Sequence, residues 1–121
     1  VNRKLEGGLA SDTVEKITLE DGGYLPVTEE LFAEDALIIE NRQTQEVSLC
    51  DSEKVPYLTV KFDAPLFGVW SPVGKNAPFI CIEPWYGRCD SVRFDGSLEE
   101  REWGSELLPN TSFQTAYTVS V

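Results

Sequence analysis

The chain has 121 residues, 41% of them apolar and 11% aromatic, which is enough for one hydrophobic core and too little for two ordinary domains. A formal charge of −11 without any cluster of Lys or Arg excludes phosphate backbones and anionic membrane surfaces as partners, because both require a basic patch. No run approaches the roughly 18 to 20 apolar residues of a membrane span and no signal peptide opens the sequence, so the expected location is the cytoplasm. Cys50, Cys81 and Cys89 are odd in number and lack the CxxC spacing of zinc or redox sites, which fits free thiols in a reducing compartment. The chain contains no histidine, the side chain most often used for proton transfer near neutral pH. It contains no methionine either, and begins at Val1, as a processed or truncated piece would.

In chain order, residues 1–13 carry Gly7-Gly8 and little periodicity and read as a loop or a severed end. Beyond them, apolar residues recur with period two far more often than 3.6. Short strands are predicted at Val14–Leu19, Ala36–Glu40, Glu46–Cys50 and Leu66–Ser71. A half-buried strand is predicted over Tyr57–Asp63, where Leu58, Val60 and Phe62 alternate with Thr59, Lys61 and Asp63. Pro78–Glu83 reads as a strand buried on both faces, because its apolar residues do not alternate. A last strand is predicted where Phe113, Tyr117, Val119 and Val121 alternate with polar residues. Turn signals separate the strands at Asp21-Gly22-Gly23, Asn41-Arg42, Asp51-Ser52, Ala64-Pro65, Gly74-Lys75-Asn76 and Asp95-Gly96. Two short helical turns are predicted, one after Thr28 and one at Ser97-Leu98-Glu99-Glu100, which has capping-box spacing. The spacing as a whole is that of an all-β, antiparallel β-sandwich.

Several chemistries can be set aside. Gly68 to Lys75 has the wrong glycine spacing for a phosphate loop, and Asn76 stands where Ser or Thr is required. No G-x-S-x-G elbow occurs, and a serine or cysteine nucleophile would find no histidine to activate it. Asp90 and Asp95 do not make the calcium-loop spacing, and no metal or cofactor is expected. What remains is Phe79-Ile80-Cys81-Ile82-Glu83-Pro84-Trp85-Tyr86-Gly87, with one carboxylate at the end of an apolar run and against two aromatics. Poor solvation there strengthens a carboxylate as a base, and Pro84 restricts Glu83 to extended backbone angles that aim it consistently. Trp70, Trp85 and Tyr86 offer flat apolar faces with polar edges, on which the C–H face of a sugar ring can lie. The same residues also fit an exposed strand-end carboxylate with aromatics in the core, and composition leaves both readings open.

Leu31-Phe32-Ala33-Glu34-Asp35-Ala36-Leu37-Ile38, Phe67-Gly68-Val69-Trp70-Ser71-Pro72, the long segment from Ala77 to Asp90, and Leu107-Leu108-Pro109 before Phe113 occur in that order. Together they resemble the C-terminal part of the aldose 1-epimerase (galactose mutarotase) family, and its LacX-like branch most of all. The resemblance covers about positions 14 to 121. It implies a galactose mutarotase-like supersandwich of which residues 1–121 are a C-terminal portion, and a monosaccharide substrate whose α and β anomers are interconverted by acid–base ring opening. It places the family's general base on Glu83 and its ring-contacting aspartate on Asp35, with Trp70 and Trp85 as the sugar platform. The family's histidines and its sugar-binding arginine lie in an N-terminal portion that this sequence lacks. The chain alone is therefore expected to be inactive, and to associate either with the missing N-terminal half of the fold or with itself. Two other functions compete: a non-catalytic carbohydrate-binding module, and a glycosidase pairing Glu83 with another acid such as Asp90.

Overall fold

The computed structural model describes residues 1–75 and 77–121, so the Asn76 end of the Gly74-Lys75-Asn76 turn lies outside the described residues. Among the described residues eight strands form two sheets: β1 (Asn2–Glu6), β2 (Leu9–Glu15), β3 (Leu37–Ile39), β4 (Glu46–Cys50), β5 (Pro56–Phe62), β6 (Leu66–Trp70), β7 (Cys81–Trp85) and β8 (Tyr117–Ser120). The larger sheet has the order β2-β1-β3-β6-β7 and the smaller the order β4-β5-β8, and every strand pairing is antiparallel. This is the antiparallel sandwich that the alternating pattern predicts. Among the described residues no helix is long and apolar enough to cross a membrane.

The core forms where the two inner faces meet. On β5 the apolar set Leu58, Val60 and Phe62 points inward, and the register sets Val60 opposite Val47 of β4. Phe67 supplies the matching face of β6, its ring centroid 5.2 Å from that of Phe62, while Ile39, Val69 and Ile82 of the larger sheet pack around it. Period-two alternation thus becomes burial: one side of β5, β6 and β7 enters a shared apolar layer, while the opposite face of the larger sheet is covered at Ile38 and Leu66, each 1% exposed, and only partly buried at Trp70, Cys81, Glu83 and Trp85.

The structure departs from the sequence reading in four places. Residues 1–13 are not a loop, because β1 and β2 form a hairpin over them. Gly7 and Gly8 are its two-residue turn, with φ of +58° and +83°, the consecutive positive angles that tight hairpins require and only glycine adopts freely. The strand predicted at Val14–Leu19 lies earlier, at Leu9–Glu15. The segment Pro78–Glu83 is not buried on both faces: β7 starts at Cys81, forms the edge of its sheet, and is only partly buried at each of its five residues. The C-terminal strand is confined to Tyr117–Ser120. Both helical turns exist as single 3-10 turns, Glu29–Phe32 and Leu98–Glu100, and in the second the Glu100 carboxylate accepts the Ser97 N–H at 2.8 Å, as a capping box should.

Candidate active site

The pairing of β6 with β7 assembles the candidate site. Its register sets Trp70 opposite Cys81, Gly68 opposite Glu83 and Leu66 opposite Trp85. Because directly opposed residues share a face, Trp70, Cys81, Glu83 and Trp85 all project from the side of the sheet away from Phe67, Val69 and Ile82. The apolar alternation that fills the core therefore fixes the direction of Glu83. Three of the four sequence-predicted site residues, Glu83, Trp70 and Trp85, are brought to one face and each is half-buried.

The Glu83 carboxylate accepts a hydrogen bond from the indole N–H of Trp85, Nε1 to Oε2 at 3.1 Å. The same indole packs closely on Gly68 of the neighbouring strand. A Cβ at position 68 would stand 2.5 Å from Cζ2 and 2.7 Å from Cη2 of the indole. A glycine inside a strand is itself a sign of close approach, and at Gly68 it is the sequence signal for this contact. Gly68→Ala should push the indole off the sheet and break its bond to Glu83. Overpacking of this kind costs about 1–3 kcal/mol. A lowered melting temperature together with a shifted tryptophan emission would establish the contact, and unchanged emission would refute it.

Cys81 lies beside Glu83 on the same face. Burial pushes its thiol above the ordinary thiol range, and the adjacent Glu83 carboxylate adds to this by charge and by hydrogen bonding. The thiol is thereby held protonated at neutral pH, a poor nucleophile beside the carboxylate. Alkylation of Cys81 should need a higher pH than an ordinary thiol. Glu83→Gln should lower that pH without restoring it fully, since burial is the larger cause. Peptide mapping of iodoacetamide adducts across a pH series would read this, and an unshifted profile in the variant would contradict it.

Trp70 closes the other end of the face, its ring centroid 6.5 Å from that of Phe79 and tilted by 57°. Asp35 is not brought to this face by any contact. It sits in the loop before β3 at φ +88°, exposed, and its carboxylate accepts the N–H of the next residue, Ala36, at 2.7 Å. It lines a cavity of about 510 Å³ together with Lys4, Glu15, Glu30 and Glu34, into which none of Glu83, Trp70 and Trp85 extends. Among the described residues no group of three His, Cys, Asp or Glu side chains is placed to hold a metal ion.

Sequence reading missed the ionic cluster that ties the site's sheet to the segment after β7. Glu40, one residue past β3, accepts Nε and Nη2 of Arg3 from β1, both at 3.1 Å. Its other oxygen lies 2.6 Å from Arg88 Nε, in ion-pair contact but out of line for a hydrogen bond. Arg88 also pairs with Glu102 and donates Nη1 to the Cys89 carbonyl at 2.8 Å. The side chains of Arg88 and Glu40 are 1% and 5% exposed, so the cluster is a buried one. The only trace of it in the sequence is that Glu40 and Arg88 each follow an apolar strand directly or by a short turn.

No family model matches the chain. Two curated proteins of Lactococcus lactis subsp. lactis, the plasmid-borne and the chromosomal Protein LacX, are each 29% identical to it over 104 residues, 85% of this chain. The chain spans 34% of the length of either. A galactose mutarotase related enzyme of Lactobacillus acidophilus, known from its X-ray structure, superposes with a TM-score of 0.82 over 98% of this chain and 40% of its own, at 30% identity. Fold and similarity define a galactose mutarotase-like β-sandwich. Within that class the chain is aldose 1-epimerase-like, and it matches about a third of the length of the LacX proteins and two fifths of that of the mutarotase related enzyme.

Proposed function

We propose that the chain is the base-bearing component of a carbohydrate isomerase that interconverts the α and β anomers of an aldohexose or hexose phosphate. Glu83 takes the proton from the anomeric hydroxyl, and Trp85 and Trp70 carry the apolar face of the sugar; Asp35, beside a different cavity, takes no part in this reading. The observation that carries this reading is the Glu83–Trp85 pair on the face of β7 opposite Ile82: a carboxylate oriented by an indole N–H at 3.1 Å, next to an indole packed against the sheet at Gly68. An oriented, half-buried carboxylate beside a flat aromatic face is what removal of a sugar hydroxyl proton needs. The acid that protonates the ring oxygen has no candidate histidine in this sequence, so the chain by itself is expected to be inactive. Its three free cysteines support a reducing, cytoplasmic setting.

The test is a chimera in which this chain replaces the matched part of the Lactobacillus acidophilus enzyme. Polarimetry should show mutarotation of glucose or galactose well above the spontaneous rate, and none above it from the isolated chain. A chimera that folds but does not turn over sugar would remove the proposal. The absence of histidine also favours a second reading, a carbohydrate-binding module. That reading requires a sugar-dependent change in tryptophan fluorescence without turnover in the same chimera.

A further inference from the structure

We infer that Cys81 is a positioning residue for the proposed base: its protonated thiol and the Trp85 indole N–H hold the Glu83 carboxylate from the two sides along β7, leaving the remaining lone pairs to the sugar. Resting on the reading of Glu83 as the base, this role is built only from contacts within β6 and β7.

β7 sends Cys81, Glu83 and Trp85 to one face and Ile82 and Pro84 to the other, so the carboxylate has one neighbour two residues before it and one two residues after. Such neighbours stand about 7 Å apart at Cα, within reach of a glutamate side chain and a thiol or an indole. Leu66 is the register partner of Trp85, yet the indole packs on Gly68, the partner of Glu83. The indole thus comes back along the sheet to the carboxylate, which takes its N–H at 3.1 Å and is left beside Cys81, whose thiol donates to it.

A thiol suits this place as a donor. Burial first, and then the neighbouring carboxylate, keep the proton on sulfur at neutral pH. A thiolate would repel Glu83, whereas a thiol points a proton at it. Sulfur also keeps an apolar surface toward Trp70, directly opposite Cys81 on β6. Cys50 belongs to the smaller sheet and Cys89 lies beyond the end of β7, so neither shares this role. An ionised carboxylate offers about four lone-pair sites, and two donors leave the others to accept the anomeric O–H. The same two donors restrain the carboxylate from swinging away, and holding a reacting group in place is itself a contribution to rate.

In the chimera described above, Cys81→Ala should lower kcat for mutarotation about tenfold, the low end of what a hydrogen bond to a charged group contributes, because a thiol is a weak donor. KM should change little, since the indoles that carry the sugar are untouched. Cys81→Ser, which keeps a donor, should recover most of kcat, and Cys81→Val, which fills the space without one, should not. A role in packing alone would give the opposite order. The infrared S–H stretch of Cys81, assigned as the band lost in Cys81→Ser, needs no turnover. In Glu83→Gln it should move to higher frequency, because an amide oxygen is a weaker acceptor than a carboxylate. A parental kcat in Cys81→Ala, recovery by valine and not by serine, or an S–H band that Glu83→Gln leaves in place would each overturn the inference. A Glu83→Gln chimera as fast as its parent would overturn the base reading and this role with it. A slow Glu83→Gln beside an unaffected Cys81→Ala would remove the role of the thiol alone.

Discussion

Glu83→Gln in the chimera should slow mutarotation by about 10²–10⁴-fold while leaving the fold intact, the loss associated with removing one acid–base group. This corresponds to about 3–5 kcal/mol of transition-state stabilisation. Glutamine keeps the size of the side chain and an amide oxygen to accept the Trp85 N–H, so the indole remains over Gly68 and the proposed sugar platform is preserved. The substitution removes only the capacity to hold a proton. The effect should therefore fall on kcat, with sugar binding, read from tryptophan fluorescence, little changed. Equal rates for the variant and its parent would show that Glu83 is not the base. A large loss of binding with an unchanged kcat would assign it to holding the sugar instead.

Glu40→Ala should cost about 3–5 kcal/mol of stability, the loss typical when one partner of a buried ion pair is removed. The penalty arises because Glu40 is the shared partner of two guanidinium groups. Without it, Arg88, whose side chain is 1% exposed, retains only the mostly exposed Glu102 as its acidic partner, and Arg3 loses both of its bonds to Oε2. Against a typical domain stability of about 5–15 kcal/mol this is a large fraction. Urea unfolding should show a much lower midpoint at an unchanged slope. A shift below about 1 kcal/mol, in the range of exposed pairs, would mean that water reaches the cluster and does the work of the carboxylate. Because Glu40 precedes the β3–β4 turn and Arg88 follows β7, the variant also loosens the tie between the middle of the larger sheet and the end of the strand that carries Glu83.

The sequence by itself determined the class of fold and most strand positions. Alternation over Glu46–Cys50 and Tyr57–Asp63 needs only the pleat of a strand and one apolar side to declare itself, and both segments form strands at or within one residue of the predicted bounds. It also singled out Glu83, Trp70 and Trp85, because an acid at the end of an apolar run and large aromatics near it are local features. The β1–β2 hairpin escaped notice because Arg3, Lys4, Asp12 and Thr13 mask the alternation, leaving Gly7-Gly8 as the only signal. Only the tertiary structure decided what cannot be local. The β6–β7 register put Glu83 opposite Gly68 and so made room for the Trp85 indole, and it placed Trp70 on the same face. It left Asp35 in a loop beside a different cavity, and it joined Glu40 to Arg88 across 48 positions of sequence. The physical reason is the same in each case. A side chain's face is set by its own strand, but its partner is set by which strand the chain brings alongside, and that choice is made by burial of the whole apolar surface at once.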